Sequence, residues 1–70
     1  MYYYVLKVYF YDGSWGYYVS DWYNNLKVSQ NVSEAENFGS DDFLGRVRGD
    51  SVMRDHGNVV SRCEVVRIEK

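Results

Sequence analysis

The 70-residue chain contains no proline, a single cysteine (Cys63) and a single histidine (His56). One cysteine excludes an internal disulfide. With His56 as the only other soft ligand, a tetrahedral zinc site falls short of its roughly four donors, so neither a metal nor a cofactor is expected. The missing proline suits unbroken strands and helix. Neither sign of charge dominates: ten acidic residues face eight basic ones, for a net −2. That balance leaves no basic footprint for duplex nucleic acid and too little acidity to imitate DNA. No apolar run approaches the roughly 20 residues that span a bilayer, so no membrane partner is expected. The start shows no basic segment ahead of its apolar run and no small-residue cleavage site. Together with the lone thiol, this makes a reducing cytoplasm the expected compartment.

What the chain has in abundance is aromatic mass: eight tyrosines, three phenylalanines and two tryptophans. A domain this short buries only about 60 % of the surface its unfolded form exposes. Each buried ring removes on the order of 150–250 Å² from water, so a few rings can hold one small core. The whole chain, 1–70, therefore reads as a single domain.

The stretch Tyr2–Tyr11, YYYVLKVYFY, is aromatic, β-branched or leucine apart from Lys7. Such side chains suit a pleated, packed surface. The lack of polar alternation marks a strand paired on both sides, at the middle of a small sheet. Asp12-Gly13-Ser14 is a hairpin signal, and Trp15–Tyr23 reads as the second strand. Trp15, Tyr17 and Val19 point one way, and Gly16, Tyr18 and Ser20 the other. Asp21 ends this strand or sits in a bulge. Asn24-Asn25 is the next turn candidate, leading to a short third strand over Leu26–Ser29.

The character then changes. Ser33 and Glu36 have capping-box spacing, which predicts one helical turn with Ala35 and Phe38 inward and Gly39 as its stop. Ser40 reads as the next N-cap, with Asp41 and Asp42 in the first turn, where carboxylates meet the positive end of the helix dipole. Phe43, Leu44 and Val47 supply an apolar stripe at helical spacing. Gly45 and Gly49 weaken this helix by ~1 kcal/mol each relative to alanine. The predicted helix starts at about Asp41 and either stops near Arg48 or, the favoured reading, continues to Asp55 with Gly57 as its C-cap. Asn58–Glu69 is the closing strand, pairing with Tyr2–Tyr11. In it Cys63 and Val65 share one face while Val66 and Ile68 share the other, which implies a bulge or burial on both faces. The expected fold is α+β: a small antiparallel sheet of three or four strands, element order β-β-(β)-α-β, with one helix packed on one face.

The strings YYVLKVYFYDGSWGYYVSD and SEAENFGSDDF, followed by a valine-rich last strand, resemble a loose class of small bacteriophage and prophage proteins. The segment carrying Ala35, Phe38 and Ser40 matches their "Ala-x-x-Phe-x-Ser" lead into a helix, while the helix glycines and the stretch Arg46–Asn58 depart from it. The resemblance implies an inhibitor or adaptor that binds a host or defence protein, anti-CRISPR proteins being among such inhibitors, working in the cytoplasm of the host cell.

Catalytic chemistry finds little support, and no catalytic residue is expected. His56 follows Asp55, but sequence neighbours on a helix do not face each other, and the position reads as a surface histidine. Cys63 lies in an apolar strand, where a thiol behaves as a small hydrophobe. Helix capping accounts for Asp41 and Asp42 without a metal. The glycines form no phosphate-binding motif. Arg48-Gly49-Asp50 and the sequon Asn31-Val32-Ser33 carry no meaning in a cytoplasmic protein.

Thirteen rings exceed what one small core holds. About half are expected on the sheet face away from the helix, either covering a wet sheet face by cross-strand pairing or forming an interface, since tyrosine, tryptophan and arginine are enriched in binding hot spots. The expected contact residues are Tyr3, Trp15, Tyr17, Tyr18, Trp22, Tyr23, Arg46 and Arg48, with a protein partner or a second copy of the chain. The competing reading is single-stranded nucleic-acid binding by ring stacking, with Lys7, Lys27, Arg46, Arg48, Arg54, Arg62, Arg67 and Lys70 supplying phosphate contacts. Net acidity and the lack of an RNP-like string weigh against it.

Overall fold

The computed structural model describes all 70 residues. The chain runs β1 (Tyr2–Phe10), β2 (Trp15–Trp22), β3 (Asn25–Ser29), a single 3₁₀ turn (Val32–Glu34), α1 (Phe43–His56) and β4 (Val60–Glu69). The strands form one antiparallel sheet in the order β3-β2-β1-β4, with α1 against one face. This is the expected α+β architecture, with β1 inside the sheet. No helix is long and apolar enough to cross a membrane.

β1 pairs with β4 along its whole length, from Tyr2↔Glu69 to Phe10↔Val60, with a register shift between Tyr9 and Phe10. The shift leaves Ser61 as the extra residue on β4, and its hydroxyl donates to the Tyr9 carbonyl at 3.1 Å. Leu6, Val8 and Val60 turn toward α1 with Cys63 and Val65 packed beside them. Val5, one residue out of phase and opposite Val66, is also fully buried, but on the other face. The mixed phase of β4 is therefore burial on both faces together with a bulge.

The first hairpin turns at Tyr11–Gly13. Gly13 adopts φ +91°, and the Asp12 carboxylate accepts from the Ser14 amide and hydroxyl at 2.9 and 2.6 Å. These bonds hold the Asp12 carboxyl below its ordinary pKa. β2 then pairs with β1 only over Trp15–Tyr17. Beyond that point Phe38-Gly39 takes the seat beside β1: the Phe38 amide donates to the Tyr4 carbonyl (2.9 Å) and the Tyr4 amide to the Gly39 carbonyl (3.0 Å). On its other side, the Glu36 amide donates to the Tyr18 carbonyl at 3.0 Å. This wedge frees the end of β2 from β1. A bulge between Tyr18 and Ser20 then reverses the alternation and turns Asp21 toward α1.

Three local expectations need correction. The 3₁₀ turn is capped by Asn31, whose side chain accepts from the Ser33 amide, and not by Ser33. The β2–β3 turn places Tyr23 (φ 50°) and Asn24 (φ 63°) at its centre, one residue earlier than Asn24-Asn25. α1 begins at Phe43 with Asp42 as N-cap; the Asp41 carboxylate, not Ser40, accepts from the Phe43 amide at 3.0 Å.

The larger correction concerns which side of α1 packs. Its buried residues are Gly45, Gly49, Val52 and His56, spaced i, i+4, i+7, i+11 along one face. Phe43, Leu44 and Val47 point outward, 61, 57 and 46 % exposed. The sheet supplies the bulk and the helix supplies the room. A Cβ at Gly45 would stand 3.3 Å from both Val65 methyls, and one at Gly49 3.3 Å from Leu6 Cδ1. The glycines that looked like helix defects are what lets the helix backbone approach Leu6 and Val65.

Candidate functional site

The candidate surface is the sheet face that α1 leaves uncovered. Alternation along β1 places Tyr3, Val5, Lys7 and Tyr9 on it. Register then fixes their neighbours: Trp15 beside Tyr9 and Tyr17 beside Lys7 on β2, and Arg62, Glu64, Val66 and Ile68 opposite Tyr9, Lys7, Val5 and Tyr3 on β4. Tyr3, Tyr9, Trp15 and Tyr17 are half-buried, and Val5 among them is fully buried.

The rings are laced with cations. Lys7 Nζ sits 4.2 Å from the Trp15 ring centre and 5.1 Å from that of Tyr9. The Arg62 guanidinium lies 3.9 Å from the Tyr9 centroid, and Lys70 Nζ 5.5 Å from that of Tyr3. Trp15 and Tyr17 meet edge to face at 5.4 Å. The Tyr9 hydroxyl donates to Glu64 Oε1 at 3.0 Å. Each ring–cation contact is worth about 0.5–1 kcal/mol at a site this open, and edge-to-face ring pairs add a similar amount. Lys7, Arg62 and Lys70 thus gather on this face around Glu64, although the whole chain is net acidic.

The eight expected contact residues divide among four places. Tyr3, Trp15 and Tyr17 lie on this face. Tyr18 does not: it is 2 % exposed, packed against Phe38 at 6.2 Å with the Arg48 guanidinium 5.4 Å from its ring. Burial pushes its hydroxyl pKa up, with Arg48 opposing. Tyr18 is core because its phase on β2 points to the helix. Trp22 and Tyr23 stand at the β2–β3 tip, 73 and 99 % exposed, away from the ring lattice because β2 has left β1. Arg46 and Arg48 are on α1, across the sheet. Arg46 is paired with Asp42 at 2.6 Å, which raises its pKa. The surface residues missing from the expected set are Lys7, Tyr9, Arg62 and Lys70. Period-two alternation from Tyr3 already carried the signal for Lys7 and Tyr9, whereas Arg62 needed the β4 register.

His56 is not a surface residue. Its Nε2 lies 2.9 Å from Asp21 Oδ2, with side chains 10 and 9 % exposed. No sequence pattern announced this contact, because the two residues are 35 apart and meet only after the β2 bulge. The pair clamps the β2–β3 hairpin onto the end of α1. No hydroxyl or thiol hydrogen-bonds the imidazole, so the geometry lacks the nucleophile that a histidine–carboxylate pair would activate. Cys63 is half-buried beneath α1 and its thiol is pushed up to about 11 by burial, with Asp50 adding to the shift, the reverse of what a nucleophile needs. No three of the histidine, cysteine and carboxylate side chains gather where they could share a metal ion.

Compared with family models, curated proteins and solved structures, the chain matches none.

Proposed function

We propose that this chain is a non-catalytic protein-binding module that docks through the uncovered face of its sheet. One observation carries the reading: α1 packs on the opposite face and leaves uncovered the one bearing the half-buried Tyr3, Tyr9, Trp15 and Tyr17, with Val66 and Ile68 beside them. Contiguous apolar and aromatic surface of this kind marks contact sites, and tyrosine, tryptophan and arginine dominate binding hot spots. The resemblance to small phage proteins supports the more specific form of the proposal, an inhibitor or adaptor of a host or defence protein acting in the host cytoplasm. The test is affinity capture from bacterial lysate with mass spectrometry, comparing wild type with Lys7→Glu and Trp15→Ala. Both variants should remain folded by circular dichroism and lose the same captured protein. Capture unchanged in both folded variants refutes docking through this face.

A second reading, single-stranded nucleic-acid binding, is favoured by Lys7, Arg62 and Lys70 lying on the same face as the rings. Base stacking needs bare ring faces, and these cations already lie over Trp15, Tyr9 and Tyr3. A salt titration separates the two, because nucleic-acid affinity falls steeply with salt and an aromatic protein interface changes little.

A further inference from the structure

The sheet-face reading leaves one feature without a role: α1 turns three large apolar side chains to water. Phe43, Leu44 and Val47 are all exposed within its first turn and a half. Beside them, between α1 and the Glu36–Gly39 segment, runs a groove of about 620 Å³ lined by Phe38, Leu44 and Val47, with Glu36 and Arg48 also on its walls. Phe43 stands at the start of the same helix and is not part of that lining. An apolar knob and a groove of mixed lining, with Asn37, Gly39 and Ser51 also on its walls, thus lie side by side on one surface.

We propose that this surface is a two-fold interface with a second copy of the chain, Phe43 of each copy entering the other's groove. Three observations favour a second copy over an unrelated occupant. A two-fold contact requires a self-complementary patch, and knob beside groove meets that requirement. The charges complement each other in the same way. The groove carries Glu36 and Arg48, while the knob is flanked by Asp42 and Arg46. In the proposed two-fold, Glu36 would meet the second copy's Arg46 and Arg48 its Asp42, in exchange for the 2.6 Å bond those two residues make to each other within one chain. Finally, each copy buries only seven hydrophobic residues, a small core of the kind that a second subunit commonly supplements. The proposal uses the helix side only and leaves the sheet face of both copies open, so it stands or falls separately from the reading above.

Sedimentation equilibrium from about 1 μM to about 1 mM covers the affinities such a patch can reach. Wild type should rise from the 8.3 kDa chain mass to twice that value. Val47→Glu should stay monomeric or weaken association at least about tenfold. The site is exposed and glutamate is the better helix former, so the fold should survive; Leu44→Gln serves as a second variant. Arg46→Glu should weaken the dimer, and adding Glu36→Arg should restore it. A wild type still monomeric at about 1 mM overturns the proposal. So does a dimer indifferent to Val47→Glu and Leu44→Gln, or one lost instead with Lys7→Glu on the sheet face.

Discussion

Replacing His56 by alanine tests whether the β2–β3 hairpin is clamped to α1. The imidazole is the partner of Asp21 Oδ2, and Asp21 Oδ1 is already buried without a hydrogen bond. His56→Ala leaves a carboxylate about nine-tenths buried with neither oxygen bonded. Removing one member of such a pair costs about 3–5 kcal/mol, a large part of the roughly 4–10 kcal/mol expected for 70 residues. Asp21→Ala should cost less, about 1–3 kcal/mol, since the orphaned imidazole loses one hydrogen bond. The apolar double variant Asp21→Val/His56→Leu should regain most of the loss, because it buries no charge. Urea unfolding followed by circular dichroism and tryptophan fluorescence reads these differences. With a slope near 1 kcal/mol/M for so small a domain, His56→Ala should lower the midpoint by about 3 M or unfold the chain outright. A drop below about 0.5 M, with a double-mutant coupling under about 0.5 kcal/mol, would mean that the pair is a solvated surface contact and the hairpin is not clamped.

Gly49→Ala should raise the urea midpoint, because the helix gains about 1 kcal/mol and the nearest atom, Leu6 Cδ1 at 3.3 Å, is a side-chain end that can rotate. Gly45→Ala should not, since both methyls of the stiff Val65 stand at 3.3 Å; Gly45→Leu should cost about 1–3 kcal/mol or more by overpacking. Tyr23→Asn should stabilise the domain by roughly 0.5–1 kcal/mol in thermal melts, because Tyr23 holds φ 50° and asparagine tolerates the left-handed region better than tyrosine. Stability should fall as pH rises. Cys63 is raised from 9.0 to about 11 and Tyr18 above 10.0, so the folded state favours their protonated forms. That contribution is complete below about pH 9 and is lost as pH climbs through about 11. Urea midpoints across this range should decline, and Cys63→Ala should flatten the early part of the decline.

Much of the frame was legible in the residues. Tyr2–Tyr11 announced a central strand because an unbroken β-branched and aromatic run can be buried on both faces only inside a sheet. Asp12-Gly13 located the first turn because glycine takes the positive φ that the turn demands. Gln30 to Gly39 marked a change of structure, although the cap proved to be Asn31. The candidate surface was half legible: alternation gave Tyr3, Trp15 and Tyr17, but the interruption of β2 was expected at Asp21, whereas it lies between Tyr18 and Ser20 and turns Asp21 toward α1. Tyr18 entered the expected set because a list of aromatics does not record which way each ring points.

The sequence by itself determined the elements, their order and the strand at the centre of the sheet, because turn chemistry and hydrophobic period act between residues close in the chain. Only the tertiary structure decided which side of α1 faces inward. Hydrophobicity favoured Phe43, Leu44 and Val47, yet the space above Leu6, Cys63 and Val65 is too shallow for side chains of that size, and the helix meets it at Gly45 and Gly49. Only the tertiary structure decided, too, that the lone histidine is buried against Asp21. That contact depends on a wedge at Phe38-Gly39 and a bulge after Tyr18, two departures from regular pairing. Steric fit between distant surfaces settled both points, and neither shape exists until the chain has folded.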